Sequence, residues 1–282
     1  MQIILAIHID STDRYENCSV LIDYLTKLGY SIILSEVDDL PKFCMSYANY
    51  HNVKCIWSQS NGLQPHSQAI NQSIPLITDE NCVLWDIDCF ITKEMIETGI
   101  KQLEKYDLIC TGESWECLDR KCIPYIKQSI KQFSNITSLD QFIVRRRKDP
   151  NGGIRFIKSN VLKYSRGFNP VLKYWGGDDE EFYQRLVKLG FRVGRMNGKV
   201  YHVEHEVDPT SQDHQKQYSQ HMYVEKVLSM NAEQTLNYYA LAGSARATPL
   251  GMGEVFSDSF PMLSKEDAEV FYKKAKSLWE EC

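Results

Sequence analysis

Apolar residues in the first half of the chain come in two alternating arrangements, short unbroken blocks and single positions at helical spacing. Residues 3–9 form a block closed by Asp10, which predicts a strand covered on both faces. Val20, Leu21, Tyr24, Leu25 and Leu28 then fall on one face of a helix that Gly29 should end. The alternation continues with strands at 31–37 and 53–58, a short helix at 67–74, and a strand at 82–85 that runs into Asp86. A helix over 93–105, with Ile96, Ile100 and Leu103 on one side, leads to a strand at 108–111. Strands alternating with helices are the signature of βαβ units and a largely parallel sheet. Such a sheet binds its ligands beyond the carboxyl ends of its strands.

The pattern breaks at Asp149-Pro150-Asn151-Gly152-Gly153, a run of turn residues. A strand at 154–158 and a short helix follow. Next comes WGGDDEEF, residues 175–182, opening a helix whose face is Phe182, Leu186 and Leu189 and whose C-cap is Gly190. Strands at 191–196 and 199–205 are separated by Asn197-Gly198, which predicts a hairpin. From Ser211 the chain reads as amphipathic helices, the last one started by Ser264 and Asp267 and carrying Val270, Phe271, Leu278 and Trp279.

Composition narrows the class. With 43% apolar and 24% charged residues, the 282-residue chain reads as an ordinary soluble globular protein. A net charge of −5 argues against a nucleic-acid binder, which needs a basic surface. Arg145-Arg146-Arg147-Lys148 is a basic run of the kind found in solvated loops, although it could face a diphosphate or an anionic membrane. Nine scattered cysteines without a CxxC pair indicate neither a disulfide framework nor a zinc ribbon, and fit reduced thiols in a cytoplasm. The opening MQIILAIHID meets Asp10 too early for a signal peptide. No apolar segment has the length of a membrane span, so membrane contact is expected to be peripheral.

Three groups carry candidate chemistry. In WGGDDEEF the glycines let a ligand approach the backbone, and four carboxylates stand where a general base could sit. Acidic residues also suit a first helical turn for dipole reasons, and Asp178 with Glu181 has capping-box spacing. Asp86-Ile87-Asp88 should emerge at the ligand-binding edge of the sheet, where paired carboxylates suit Mg²⁺ or Mn²⁺. The ordinary explanation is that Asp ends strands. In Tyr201-His202-Val203-Glu204-His205 the two histidines are three apart, so strand alternation would turn only one towards a common site.

Taken together, the DxD after the fourth strand, the WGGDDEEF step and the downstream Tyr201-His202 resemble metal-dependent glycosyltransferases of the GT-A fold. They are most similar to the group of β-1,4-galactosyltransferases, bacterial chondroitin-type polymerases and polypeptide N-acetylgalactosaminyltransferases. Gly152-Gly153, Gly167-Phe168-Asn169 and Trp175 to Glu180 match in spacing as well as identity. The resemblance spans roughly residues 1–208, as judged by where the motifs fall.

The resemblance implies an α/β fold, a Rossmann-like, mostly parallel mixed sheet flanked by helices. It implies a catalytic domain over 1–208, with a nucleotide-binding half (1–112) and an acceptor and metal half (150–208), and a helical extension over 209–282 packed on it. By the same resemblance, Asp88 and His202 are metal ligands, and Asp86 contacts metal or ribose. Asp179 is the catalytic base. Gly152, Gly153, Trp175, Gly176, Gly177 and Asp178 line the sugar subsites. Nucleotide contacts are assigned to Asp10, Arg14, Glu36, Asp38 and Asn71. Asn71 belongs to the segment from His66 that lines the donor pocket.

The implied cofactor is Mn²⁺ or Mg²⁺, the donor a UDP-sugar, the acceptor a glycan or glycolipid. Retaining relatives carry an amide where Asp179 stands, so inversion is expected. The first acid after the glycines is Glu in the group and the shorter Asp178 here. A haloacid-dehalogenase-like phosphatase also uses an apolar strand followed by DxD, but there the motif follows the first strand. A carbohydrate-binding protein without catalysis would need neither the metal set nor the base.

Overall fold

The structure is a computed structural model, and it describes residues 1–60, 66–148, 151–170, 172, 176–206 and 224–241. The N-terminal blocks become strands because apolar layers cover both of their faces. In β1 (Gln2–Ile7), Ile3 and Leu5 enter one core cluster and Ile4 the other, as period-two alternation requires. β2 (Ser31–Asp38), β3 (Val53–Gln59) and β4 (Asn81–Trp85) complete a parallel set in the order β4-β1-β2-β3.

Helix α1 (Thr12–Lys27) starts at Ser11, whose hydroxyl accepts from the Arg14 amide, and ends before Gly29 at φ +82°. α2 (Cys44–Tyr47), α3 (His66–Ser73) and α4 (Lys93–Gln102) supply further cover. Beyond β4 the sheet continues with β9 (Ile154–Lys158), antiparallel to both of its neighbours, then β6 (Leu108–Thr111) and β10 (Val193–Met196). The mostly parallel mixed sheet implied by the resemblance is therefore present, with seven strands.

A second sheet was not legible in the pattern. It has the order β5-β11-β7-β8, made of β5 (Cys89–Phe90), β11 (Lys199–Val203), β7 (Ser114–Leu118) and β8 (Ile143–Lys148). Its presence corrects the hairpin expected at Asn197-Gly198. β10 pairs in parallel with β6, and β11 pairs in parallel with β7.

Two adjacent parallel strands thus bend together from one sheet into the other, through Gly112 on one and Gly198 on its neighbour. Both glycines have positive φ, +79° and +132°, and a Cβ on Gly112 would stand 2.8 Å from Val200 Cγ2. The Asn-Gly signal marks a turn, but neighbouring strands outcompete the local hairpin. The basic run is likewise not a loop. It is the edge strand β8, with Arg145 paired to Glu204 and Arg146 to Glu116, both at 2.7 Å.

α5 (Ile123–Phe133), with Pro124 in its first turn, packs on α1. α6 (Ser159–Tyr164) and α7 (Asp178–Lys188) carry the chain across the far face. Of the expected C-terminal helices, α8 (224–228) and α9 (Ala232–Leu241) are seen. The helix expected after Ser264, and Trp175, lie outside the described residues. Among the described residues, no helix is long and apolar enough to cross a membrane.

Candidate functional site

β4 delivers the DxD to the carboxyl edge of the sheet, and two separate ties fix it there. The Asp86 amide donates to Gly153 O at 2.8 Å, and the Gly153 amide donates to Asp86 Oδ2 at 3.2 Å. Asp88 is buried, and its carbonyl accepts from the Val203 amide at 2.8 Å, so the end of β11 is docked onto the motif. Asp88 Oδ2 consequently lies 3.6 Å from His202 Nε2 and 3.1 Å from His205 Nε2.

This corrects the expectation that only one histidine would enter. β11 ends at Val203, so alternation no longer governs His205. Burial alone would raise the Asp88 carboxyl, but the two imidazoles outweigh it and hold it well below the usual range. Burial would likewise lower His205, and the Asp88 carboxylate outweighs it, so this imidazole is raised. The His202 ring stacks on Trp115, centroids 5.1 Å apart.

Asp10 and Arg14 stand beside this cluster. Arg14 Nε is 3.7 Å from Asp10 Oδ1, and the guanidinium is close enough to Asp88 to lower its pKa. Both Asp10 carboxylate oxygens are buried without a hydrogen-bond partner, as is His202 Nδ1. Orphaned polar atoms of this kind mark a place for an ion or water.

The acidic step reaches the same edge from the other side. Gly176 and Gly177 have φ +96° and +88°, backbone that L side chains rarely adopt, and this kink aims the first turn of α7 at the DxD. His66 joins the two motifs. Its Nδ1 is 2.8 Å from Asp178 Oδ2, and its Nε2 is 3.6 Å from Asp86 Oδ1. Burial would lower the His66 pKa, yet hydrogen bonds to Asp178 and Asp86 lift it to about 10. For Asp178 burial is again outweighed, by His66, and the carboxyl is lowered.

Asp179 pairs with the guanidinium of Arg155, a buried residue on β9. Burial raises Asp179, Arg155 lowers it, Asp178 raises it again, and the result is about 6. Gly152 leaves room for the Asp179 carboxylate, because a Cβ there would collide with Asp179 Oδ2 and displace it.

Other sequence-derived assignments fare differently. No capping box forms at the helix start. The N-cap is Gly177, and no side chain caps it. Glu181 is fully buried, pairs with Arg185 at 2.8 Å and accepts from the Tyr239 hydroxyl at 2.5 Å. Arg185 also donates to the carbonyls of Ser165 and Gly167. Glu180 accepts from Asn151 and Gln184.

Glu36 is buried, its carboxylate accepting from the Phe43 and Cys44 amides at the start of α2. Asp38 accepts from the Ile9 amide and Lys42 Nζ. Asn71 clamps Phe168, donating to its carbonyl and accepting from its amide, both at 2.8 Å. The side-chain groups of Glu36, Asp38 and Asn71 named here are thus engaged within the protein, while Asp10, Arg14, Asp86, Asp88, Asp178, Asp179, His66, His202 and His205 gather at one edge. Arg155 was missed, although a charge inside the block Ile154-Arg155-Phe156-Ile157 is a recognisable signal, since such residues are rarely buried unpaired.

Residues 137–206 match the family model described as the N-terminal domain of galactosyltransferase. That segment runs from before β8 through His205 and includes the acidic step. No curated protein matches the chain.

Among solved structures, Staphylococcus aureus TarS 1–349 in complex with UDP-GlcNAc is 14% identical, covering 85% of this chain and 70% of that one with a TM-score of 0.51. S. aureus TarS gives 16% identity over 85% of this chain and 42% of that chain, with a TM-score of 0.50. The catalytic domain of Drosophila β1,4-galactosyltransferase 7 in complex with xylobiose gives 15% identity, 69% and 63% coverage, and a TM-score of 0.39. The chain thus spans under two thirds of the Drosophila domain and under half of TarS. Identity this low speaks to fold alone, and the TarS likeness carries it. The architecture is that of GT-A glycosyltransferases, as the motifs implied.

Proposed function

We propose that this chain is a metal-dependent, inverting glycosyltransferase that moves a hexose or N-acetylhexosamine, of galactose type in the first instance, from a UDP-sugar to a glycan hydroxyl. The observation that carries the proposal is the His66 bridge, which brings Asp178 of the acidic step and Asp86 of the DxD to one imidazole at the carboxyl edge of the sheet. Asp86, Asp88, His202 and His205 would hold the metal. Their carboxylate oxygens and imidazole nitrogens suit Mn²⁺ or Mg²⁺, and the orphaned carboxylate oxygens of Asp10 fit a site made for a further charged group. Bound there, the metal supplies charge neutralisation for a leaving diphosphate.

The protein's own groups do the rest. Asp179, with a pKa of about 6, is mostly ionised at neutral pH and takes the proton of the acceptor hydroxyl. Asp178, oriented by His66, receives hydrogen bonds from the acceptor, and Gly176 and Gly177 let it approach the backbone. The phosphatase alternative fits less well, because β1, β2 and β3 precede the strand bearing the DxD. The setting we propose is cytoplasmic assembly of a surface polysaccharide.

The test is a screen of sugar nucleotides for Mn²⁺-dependent hydrolysis or transfer. Asp88→Ala should abolish turnover, and Asp179→Asn should retain donor binding while losing orders of magnitude in kcat. Turnover indifferent to metal, or unchanged in Asp179→Asn, would overturn the proposal.

A further inference from the structure

We propose that Cys117, His202 and Glu204 form a second metal site, selective for thiophilic ions such as Zn²⁺ and Cd²⁺, which competes with the Asp88 site for His202. The proposal rests on the function above only for its inhibition readout.

Parallel pairing of β7 and β11 sets Cys117 directly beside His202. The ladder continues one residue past β11, since the Glu204 amide donates to Leu118 O at 3.1 Å. Glu204 therefore falls on the same sheet face as His202, two residues on. One ligand atom from each of the three residues lies within 4.8 Å of the others. A second observation points to a ligand: His202 is 7% exposed, and its Nδ1 has no hydrogen-bond partner.

Ligand chemistry sets the selectivity. The residues assigned above to the first metal, Asp86, Asp88, His202 and His205, offer only oxygen and nitrogen, whereas the second set adds a thiolate, which favours zinc and cadmium over magnesium and manganese. Binding releases the thiol proton to solvent as the metal–sulfur bond forms.

The competition follows from the imidazole itself. A neutral ring has one nitrogen lone pair in its plane, the other nitrogen bearing the proton. A soft ion that takes this lone pair leaves the opposite nitrogen protonated, able to donate to Asp88 but not to ligate a metal beside it. Arg145, half exposed and 2.7 Å from Glu204, occupies part of the second site and must swing away for an ion to enter.

The test titrates the purified full-length protein with Co²⁺ and Cd²⁺ and without donor, following the thiolate-to-metal charge-transfer absorption. One such band is expected in the wild type, lost in Cys117→Ser and weakened ~10-fold or more in affinity in Glu204→Gln. Arg145→Ser, which removes the competing guanidinium, should tighten binding. In turnover assays at fixed Mn²⁺, Zn²⁺ should inhibit the wild type more strongly than Cys117→Ser.

Absence of a thiolate band in the wild type, or an Arg145→Ser affinity equal to wild type, would overturn the proposal even if Cys117→Ser fails to fold. A band that survives Cys117→Ser and disappears in Cys89→Ser would also overturn it, by placing the ion on Asp86, Asp88 and Cys89. Failure of the proposed activity would show as no donor turnover with any metal, and would leave the absorption test untouched.

Discussion

Arg155→Met isolates the group that sets the strength of the proposed base. Arg155 is 1% exposed, its guanidinium contacts Asp179 Oδ1 and lies 4.9 Å from the centre of the Phe168 ring, and its Nε and Nη2 have no partners. Methionine keeps an unbranched stem against Phe168 and removes a buried cation, so the fold should tolerate it.

For Asp179 burial is the largest influence and raises the pKa, while Arg155 is the largest that lowers it, for a balance of about 6. An opposite charge in contact lowers a carboxyl by about 1–3 units. Asp179 keeps 30% exposure, and solvent screening favours the lower part of that range. The variant is therefore expected near 7–8.

The sign follows directly. The base works only when ionised, so activity is lost as pH falls through its pKa, and raising the pKa moves this acid limb upward. At pH 7 the ionised fraction falls from about 0.9 to between about 0.5 and 0.1, and kcat/KM falls with it by about 2- to 10-fold, recovering by pH 9. The assay is kcat/KM against pH under saturating metal. An acid limb still near 6, or a loss that persists at pH 9, would refute the reasoning.

Two further predictions concern packing. Glu181→Ala strands the Arg185 charge in a fully buried site and should cost roughly 3–5 kcal/mol by denaturant unfolding, whereas Glu181→Leu combined with Arg185→Met should recover most of it; equal losses in the single and double variants would contradict this. Gly152→Ala drives a Cβ into the Asp179 carboxylate, and misplacing the base should cut kcat by about 100-fold with circular dichroism unchanged; an unaltered kcat would show that the close approach is not needed.

The main sheet was readable in the sequence because its strands are buried on both faces and therefore unbroken in apolar character. The second sheet was not. β8 reads Ile143-Val144-Arg145-Arg146-Arg147-Lys148 and resembles a solvated run because it is an edge strand whose arginines are satisfied by Glu116 and Glu204, partners 30 and 59 residues away. β10 and β11 are short, and their Asn-Gly junction carries the same local signal whether the strands pair with each other or with β6 and β7. Sequence spacing reports the turn; the choice of partner depends on strands about 80 residues earlier.

The site divides along the same line. Asp86, Asp88, Asp178 and Asp179 were legible because each follows a strand or opens a helix, where local rules say the chain meets solvent. Glu181 misled for that very reason: four acids at a helix start look alike, and only α9, about 58 residues on, singles out one of them through Tyr239. That contact ties the C-terminal residues to the helix that opens with the acidic step. Lys188 Nζ donates to the carbonyls of Leu228 and Met230, both at 2.6 Å, at the far end of α7, and Val224 covers Gly177 at its start. Residues 224–241 thus touch both ends and the middle of the helix that carries the proposed base. A chain cut after β11 would lose these contacts and leave Glu181 and Arg185 without the hydroxyl that completes their buried network.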